Sequence, residues 1–178
     1  MNLIFGSSGF ISKSLRRMSC NDYFVVDRFG AVYHDDIRIS LNYKDFLLGK
    51  SFDSVFFLFN GINYSSNFDD YQNFNKFESE ILEFIFSTID FNSLIYFSSG
   101  GSIYSNKLFS DETSLLYPNN FYALNKISIE NLIKLFGDIY KKNYILLRIT
   151  NPFGPEQITY SNNGVISKII KYLFTGEV

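Results

Sequence analysis

At 178 residues the chain is long enough for one domain with a sizeable core, and 46% hydrophobic against 19% charged residues excludes disordered and fibrous classes. A formal net charge of −2 gives no electrostatic case for nucleic acid or an anionic membrane as a partner. The single cysteine, Cys20, cannot close an internal disulfide, and a zinc site or a Ser-His-Asp triad would rest on the single histidine, His34, so no metal is expected.

Short apolar runs alternate with helical stretches along the chain. Asn2–Phe5 is a predicted first strand, stopped at Gly6 and too short for a signal-peptide core. A Gly/Ser turn leads into a helix over Phe10–Met18. Tyr23–Val26 is a second strand and Ala31–Tyr33 a short third; only Asp27–Gly30 separate them, too few for a helix. Val55–Leu58 is a fourth strand, bounded by Asn60-Gly61. Phe74, Phe77, Ile81, Phe84 and Ile85 have helical spacing within a helix over Tyr71–Ile89. Leu94–Phe97 is a fifth strand, followed by Ser98-Ser99-Gly100-Gly101. A second long helix over Phe121–Tyr140 has Leu124, Ile127, Leu132, Leu135 and Ile139 on one broad face, and Tyr144–Leu147 is a sixth strand. This alternation predicts an α/β fold, a doubly wound parallel sheet of Rossmann type with helices on both faces. No run of about 18 apolar residues is present, so no membrane span is expected and the expected compartment is the cytoplasm.

Gly6-Ser7-Ser8-Gly9-Phe10-Ile11-Ser12 joins the first strand to the first helix. Glycines there permit a tight turn and let backbone N–H groups approach a pyrophosphate, with the helix dipole adding attraction. Ser12 stands where a third glycine would allow close helix–sheet packing. Asp27 ends the second strand about 20 residues on, where a carboxylate can bond both ribose hydroxyls of an adenosine and repel a 2′-phosphate. That favours NAD over NADP, although Arg28 beside it could pair with such a phosphate, and an aspartate at this place can also cap a turn.

Tyr122 and Lys126 stand at i and i+4 on one helix face. A free phenol has a pKa of about 10, so a tyrosine acting as a base near neutrality must lose roughly 3 units, or about 4 kcal/mol. An adjacent ammonium supplies part of that. Chance alone gives roughly one such spacing in a chain this rich in tyrosine and lysine, so the weight lies on its position, downstream of a strand ending in serines.

Taken together, these segments resemble the extended short-chain dehydrogenase/reductase family, the NAD-dependent sugar-nucleotide epimerases and dehydratases. Gly6–Ser12 is similar to the family's GxxGFIG turn, which implies cofactor contacts at Gly6, Ser8, Gly9, Phe10 and Ile11 as well as Asp27. Asp36-Ile37 resembles an aspartate-hydrophobic pair that contacts adenine. Leu58-Phe59-Asn60-Gly61 stands where the family usually has Leu-Ala-Ala along the cofactor. Asn75 matches an asparagine on the long helix. Ser98–Tyr104 resembles SSxxxVYG, and Arg148–Pro155 resembles RxxNxYGP, whose asparagine, Asn151, is an implied substrate contact. The resemblance runs from Met1 to about Gln157. It implies a dinucleotide-binding domain over 1–157, with 158–178 opening a shortened substrate lobe.

Two departures qualify what is implied. The family places a Ser or Thr four residues before the tyrosine of its VYG segment; here that position is Gly100, and Ser99 or Ser102 is left to supply the hydroxyl, each with backbone bonding at a strand end as its other reading. The family's substrate lobe usually adds well over a hundred residues after RxxNxYGP. The implied activity is epimerisation of a nucleotide-activated sugar through a keto intermediate: Tyr122 takes the hydroxyl proton, Lys126 tunes Tyr122 and holds the ribose, and NAD carries the redox chemistry. A 4-keto-sugar reductase and a non-catalytic NAD-binding module are the alternatives. Dehydration is disfavoured, because Gly101 and Ser102 stand where related dehydratases carry acidic residues. A homodimer is left open.

Overall fold

The computed structural model describes residues 1–18, 22–105, 109–154 and 165–175. Its strands are β1 (Asn2–Phe5), β2 (Tyr23–Val26), β3 (Val32–His34), β4 (Ile37–Ser40), β5 (Ser51–Phe57), β6 (Asp90–Ser99) and β7 (Tyr144–Ile149). Its helices are α1 (Phe10–Met18), α2 (Tyr43–Leu47), α3 (Phe68–Thr88), α4 (Phe121–Tyr140) and α5 (Val165–Thr175). The strands form one sheet in the order β4-β3-β2-β1-β5-β6-β7. β2, β1, β5, β6 and β7 run parallel, as the alternation predicts. From β1 the chain winds first toward β2 and later returns to β5 on the opposite side. The carboxyl ends of β1 and β5 therefore flank the switch in winding direction, where open α/β sheets bind ligands.

Leu3, Ile4 and Phe5 are buried in succession because β1 is central and covered on both faces. Leu3 and Phe5 join Val55 and Phe57 of β5, Leu94 and Tyr96 of β6, and the apolar seams of α3 and α4 in the main core. Ile4 and Val25 form a smaller cluster on the other face, with Leu15 of α1 packed against it. Helix α3 starts earlier than its apolar spacing suggests, because Asn67 and Asp70 form a reciprocal capping box there.

The predicted third strand proves to be one arm of a hairpin. β3 pairs antiparallel with both β2 and β4, so the sheet's first edge is antiparallel. β4 is only four residues long, too short for the alternation of Ile37 and Ile39 with Arg38 and Ser40 to mark it, and α2 has only five residues. The predicted apolar face of α4 is also corrected. Leu135 and Ile139 lie on the surface, and the buried seam runs through Ala123, Lys126, Glu130, Ile133 and Gly137. Two charged residues on that seam obscured it to hydropathy. Gly137 belongs to it because a Cβ there would lie 2.5 Å from the Tyr144 ring.

Candidate functional site

Gly6 closes β1 with φ +108°, and a Cβ on it would stand 3.0 Å from the Leu58 backbone at the end of β5. Both the backbone conformation and the close approach demand glycine. Gly9 differs, because a Cβ there would meet no protein atom within 4 Å. Its missing side chain leaves room at the N-terminus of α1, not in the protein's own packing. Ser12 is buried in the first turn of α1, and its hydroxyl has no partner among the described residues.

A cavity of about 520 Å³ opens over this turn, lined by Gly6–Gly9, Asp27, Arg28 and the Leu58–Gly61 segment. Asp27 is held by its own loop: one carboxylate oxygen accepts from the Phe29 and Ala31 amides at 2.9 Å and the other from the Tyr33 hydroxyl at 3.2 Å. It thus caps the turn and also faces the cavity. Arg28 is turned onto the Phe29 ring, 4.8 Å from its centroid. A smaller cavity beside it is lined by Ser7, Arg16, Asp27, Tyr33 and Asp36. Asp36 sits at the β3–β4 turn, ion-paired to Arg16 at 2.6 Å. Ile37, its partner in the predicted pair, points to solvent, 69% exposed.

A third cavity of about 360 Å³ shares Gly9, Leu58, Phe59 and Asn60 with the first and continues past Phe10 and Ile11 to Ser99, Tyr122, Lys126 and Asn151. Here the predicted pair comes together. Tyr122 is at the start of α4, which Asn120 caps by accepting from the Ala123 amide. Ser102 Oγ donates to Ser99 Oγ at 2.7 Å, and Ser99, not Ser102, lines this cavity with Tyr122 and Lys126. Ser99 is therefore the hydroxyl at the phenol, and Ser102 stands behind it. Gly100 cannot host the missing hydroxyl, since a Cβ on it would lie 2.7 Å from the Arg148 carbonyl oxygen and from Thr150 Cγ2. Burial pushes the Tyr122 phenol up, and the bond from Ser99 opposes the rise. Lys126 is buried, donates to the Phe97 carbonyl at 3.2 Å, and lies 5.7 Å from the Tyr122 ring centroid. Burial lowers its ammonium's pKa, while Glu78 and Glu130 hold it up.

Asn75 lies behind this surface. It donates to Asn125 at 3.2 Å, and Asn125 in turn donates to the buried Glu78 at 2.7 Å. Through the Asn75–Asn125 bond α3 supports α4. Glu78 and Asn125 were missed by sequence reasoning, although Glu78 interrupts the apolar spacing of α3 between Phe74 and Ile81. Tyr64, whose ring centroid is 5.2 Å from that of Tyr122, was missed as well, and nothing in its neighbourhood in sequence marks it. His34 serves the β2–β3 edge, with Nδ1 3.0 Å from the Tyr23 carbonyl oxygen. Cys20 and the predicted boundary at residue 157 lie outside the described residues. Among the described residues no helix is long and apolar enough to cross a membrane.

Known proteins resemble this chain in sequence or in fold. A putative UDP-glucose 4-epimerase of Methanocaldococcus jannaschii is 36% identical over 83 residues, covering 46% of this chain and 27% of its own length. The UDP-N-acetylglucosamine 4-epimerase of Methanobrevibacter ruminantium superposes with a TM-score of 0.78 at 22% identity, covering 99% of this chain and 63% of that one. The UDP-glucuronic acid 4-epimerase of Bacillus cereus, solved with UDP-glucuronic acid and NAD, gives 0.73 at 22% identity, covering 97% and 62%. The chain thus spans less than two thirds of the length of these relatives. Residues 3–177, which carry the glycine turn, the serine strand end and the Tyr122–Lys126 pair, match the NAD dependent epimerase/dehydratase family, and the chain belongs to it.

Proposed function

We propose that this chain binds NAD across the ends of β1 and β5 and acts on a nucleotide-activated sugar, as a 4-epimerase. The observation that carries this reading is the continuity of the two cavities. The glycine turn and the Ser99–Tyr122–Lys126 cluster share one crevice through Gly9, Leu58, Phe59 and Asn60. The residues fit the cofactor: the space at Gly9 accepts a pyrophosphate at a helix N-terminus, Asp27 faces the ribose end, and Lys126 faces the nicotinamide end. NAD, when bound, supplies the hydride acceptor and donor. The protein's part is proton transfer and orientation. Tyr122 takes the proton of the sugar hydroxyl, Ser99 orients that hydroxyl and is itself held by Ser102, and Lys126 holds the ribose and favours the phenolate. Asn151 lines the same cavity and meets the sugar nucleotide in this reading. Turnover of a panel of UDP-sugars, followed by product separation, tests the activity.

One observation favours the alternative of a non-catalytic module: Gly100, with no room for a side chain, stands where the resembling enzymes carry a hydroxyl. Tight NAD binding without turnover of any sugar in the panel selects that reading.

Two expected results concern the cofactor. NAD should bind more tightly than NADP in calorimetric titration, because the Asp27 carboxylate on the cavity wall repels a 2′-phosphate. Equal or reversed affinities would transfer the assignment to Arg28. Gly9→Val should leave the fold intact, since the added side chain starts in open space, and should abolish NAD binding by filling the pyrophosphate's place. A folded Gly9→Val chain with unchanged affinity would put the site elsewhere. Gly6→Val is the control, with loss of folding expected from its φ and its contact with Leu58.

A further inference from the structure

The cavity that holds Tyr122 carries one aromatic ring with no part in the proposed chemistry. Tyr64 lines it, its ring centroid 5.2 Å from that of Tyr122 and the two planes tilted by 38°. Tyr64 stays 68% exposed, whereas Phe10, Phe59, Phe97 and Tyr122, the other aromatic residues of the lining, are buried or half-buried. A large ring left in water is ordinary at a scattered surface position, but on the lining of a cavity it is unused binding surface. The local sequence holds the ring there. Ile62 before it is buried, and Asn67 after it caps α3. Between these anchors Asn63 Oδ1 accepts from the Ser65 amide at 2.8 Å and the Ser65 hydroxyl at 2.6 Å. The Asn63 amide donates to Ser66 Oγ at 3.1 Å, and the Ser66 amide donates to the Asn63 carbonyl at 3.2 Å. The residues on either side of Tyr64 are thus bonded to each other, and its backbone has little freedom left to lose when a ligand binds.

The neighbours of the ring identify what meets it. Tyr122 must come within hydrogen-bond reach of the sugar hydroxyl whose proton it takes. A ring centred 5.2 Å from the Tyr122 ring borders the place of that same sugar. A hexose has two kinds of surface, hydroxyls around its edge and C–H bonds on its faces. Ser99, Lys126 and Asn151 line the cavity with polar groups for the edge. Tyr64 supplies an electron-rich aromatic face, the complement of a C–H face. A nucleobase also stacks on aromatic rings, but in a sugar nucleotide it is separated from the reacting carbon by a ribose and a diphosphate, too far from Tyr122 to meet this ring. We propose that Tyr64 is a substrate-binding residue, an aromatic platform on which the C–H face of the hexose stacks so that its hydroxyl is presented to Tyr122. The proposal rests on the reading of Tyr122 as the proton acceptor for a nucleotide-activated sugar.

The test is calorimetric titration of the NAD-saturated chain with UDP-glucose and, separately, with UDP alone. Tyr64→Ala should weaken UDP-glucose binding by roughly tenfold, the size expected for loss of an aromatic stack, and leave the affinities for UDP and NAD unchanged. Tyr64→Phe, which keeps the ring, should restore most of that loss. UDP-glucose affinity in Tyr64→Ala within about twofold of the wild type overturns the proposal and leaves the reading of the site standing. An equal loss for UDP places the ring on the base, an equal loss for NAD places it on the cofactor, and an equal loss in Tyr64→Phe places the effect in the hydroxyl; each overturns the proposal. A wild-type chain that binds neither UDP-glucose nor UDP refutes the proposed function together with it. Should Tyr64→Ala not fold, Tyr64→Trp gives a second measurement. The chain has no tryptophan, so the new indole is the sole reporter when excited where tyrosine does not absorb. Its emission should change with UDP-glucose and not with UDP, and emission unmoved by UDP-glucose overturns the proposal.

Discussion

Tyr122→Phe should slow turnover by about 10²- to 10⁴-fold, the usual cost of losing a general acid–base group, with little change in NAD affinity. The substitution keeps the ring and its contact with Tyr64 while removing the phenol oxygen from the cavity that Ser99 also lines. Lys126 and the glycine turn, the proposed cofactor contacts, are untouched. If Tyr122 were only a packing residue, the same change would cost perhaps 1 kcal/mol of stability through one lost hydrogen bond and leave activity intact. Activity that survives Tyr122→Phe therefore refutes the mechanism. The pH dependence adds a second check. Burial raises the phenol, so its proton-accepting form is favoured at higher pH, and activity should climb on the alkaline side. The Ser99 bond works against that rise. Ser99→Ala should thus move the climb to still higher pH, and an unmoved profile would separate Ser99 from the proton transfer.

Arg148→Met should destabilise the chain by about 3–5 kcal/mol, measured by urea unfolding, because it strands Glu130 as an unpaired charge in the interior. Glu130 is 0% exposed and takes three bonds from the guanidinium, from Nε at 3.1 and 3.3 Å and from the terminal nitrogen at 2.7 Å. The same guanidinium donates to the Tyr104 hydroxyl at 3.0 Å and the Glu112 carbonyl at 3.1 Å. It therefore ties β7 to α4, which carries Tyr122, and to the segment that follows Ser99 at the end of β6. Replacing Glu130 with methionine as well should recover much of the loss, since an apolar pair of similar volume needs no counter-charge. A single-variant cost below about 1 kcal/mol would mean that water reaches Glu130.

The parts of the fold and site legible in the sequence are those defined within a few consecutive residues. The Gly6–Ser12 turn lies between a strand and a helix, so a dozen positions carry its whole geometry. Asp27 ends β2 at a separation set by one helix and one strand. Tyr122 and Lys126 share a face because i and i+4 do so on any helix. The parallel core strands follow from apolar runs separated by long helices. Tertiary structure alone decided the rest, because each remaining question turned on which distant segments meet. β3 and β4 form an antiparallel hairpin whose outer strand is only four residues long, so its alternation does not stand out. The buried seam of α4 includes Lys126 and Glu130, which become tolerable inside only when β6 brings the Phe97 carbonyl and β7 brings Arg148. Ser99 rather than Ser102 faces Tyr122 because of how β6 ends against α4, and Gly100 is barred from the role by β7 beside it. Burial of a charge is a property of its three-dimensional neighbourhood, and no local window of residues contains that neighbourhood.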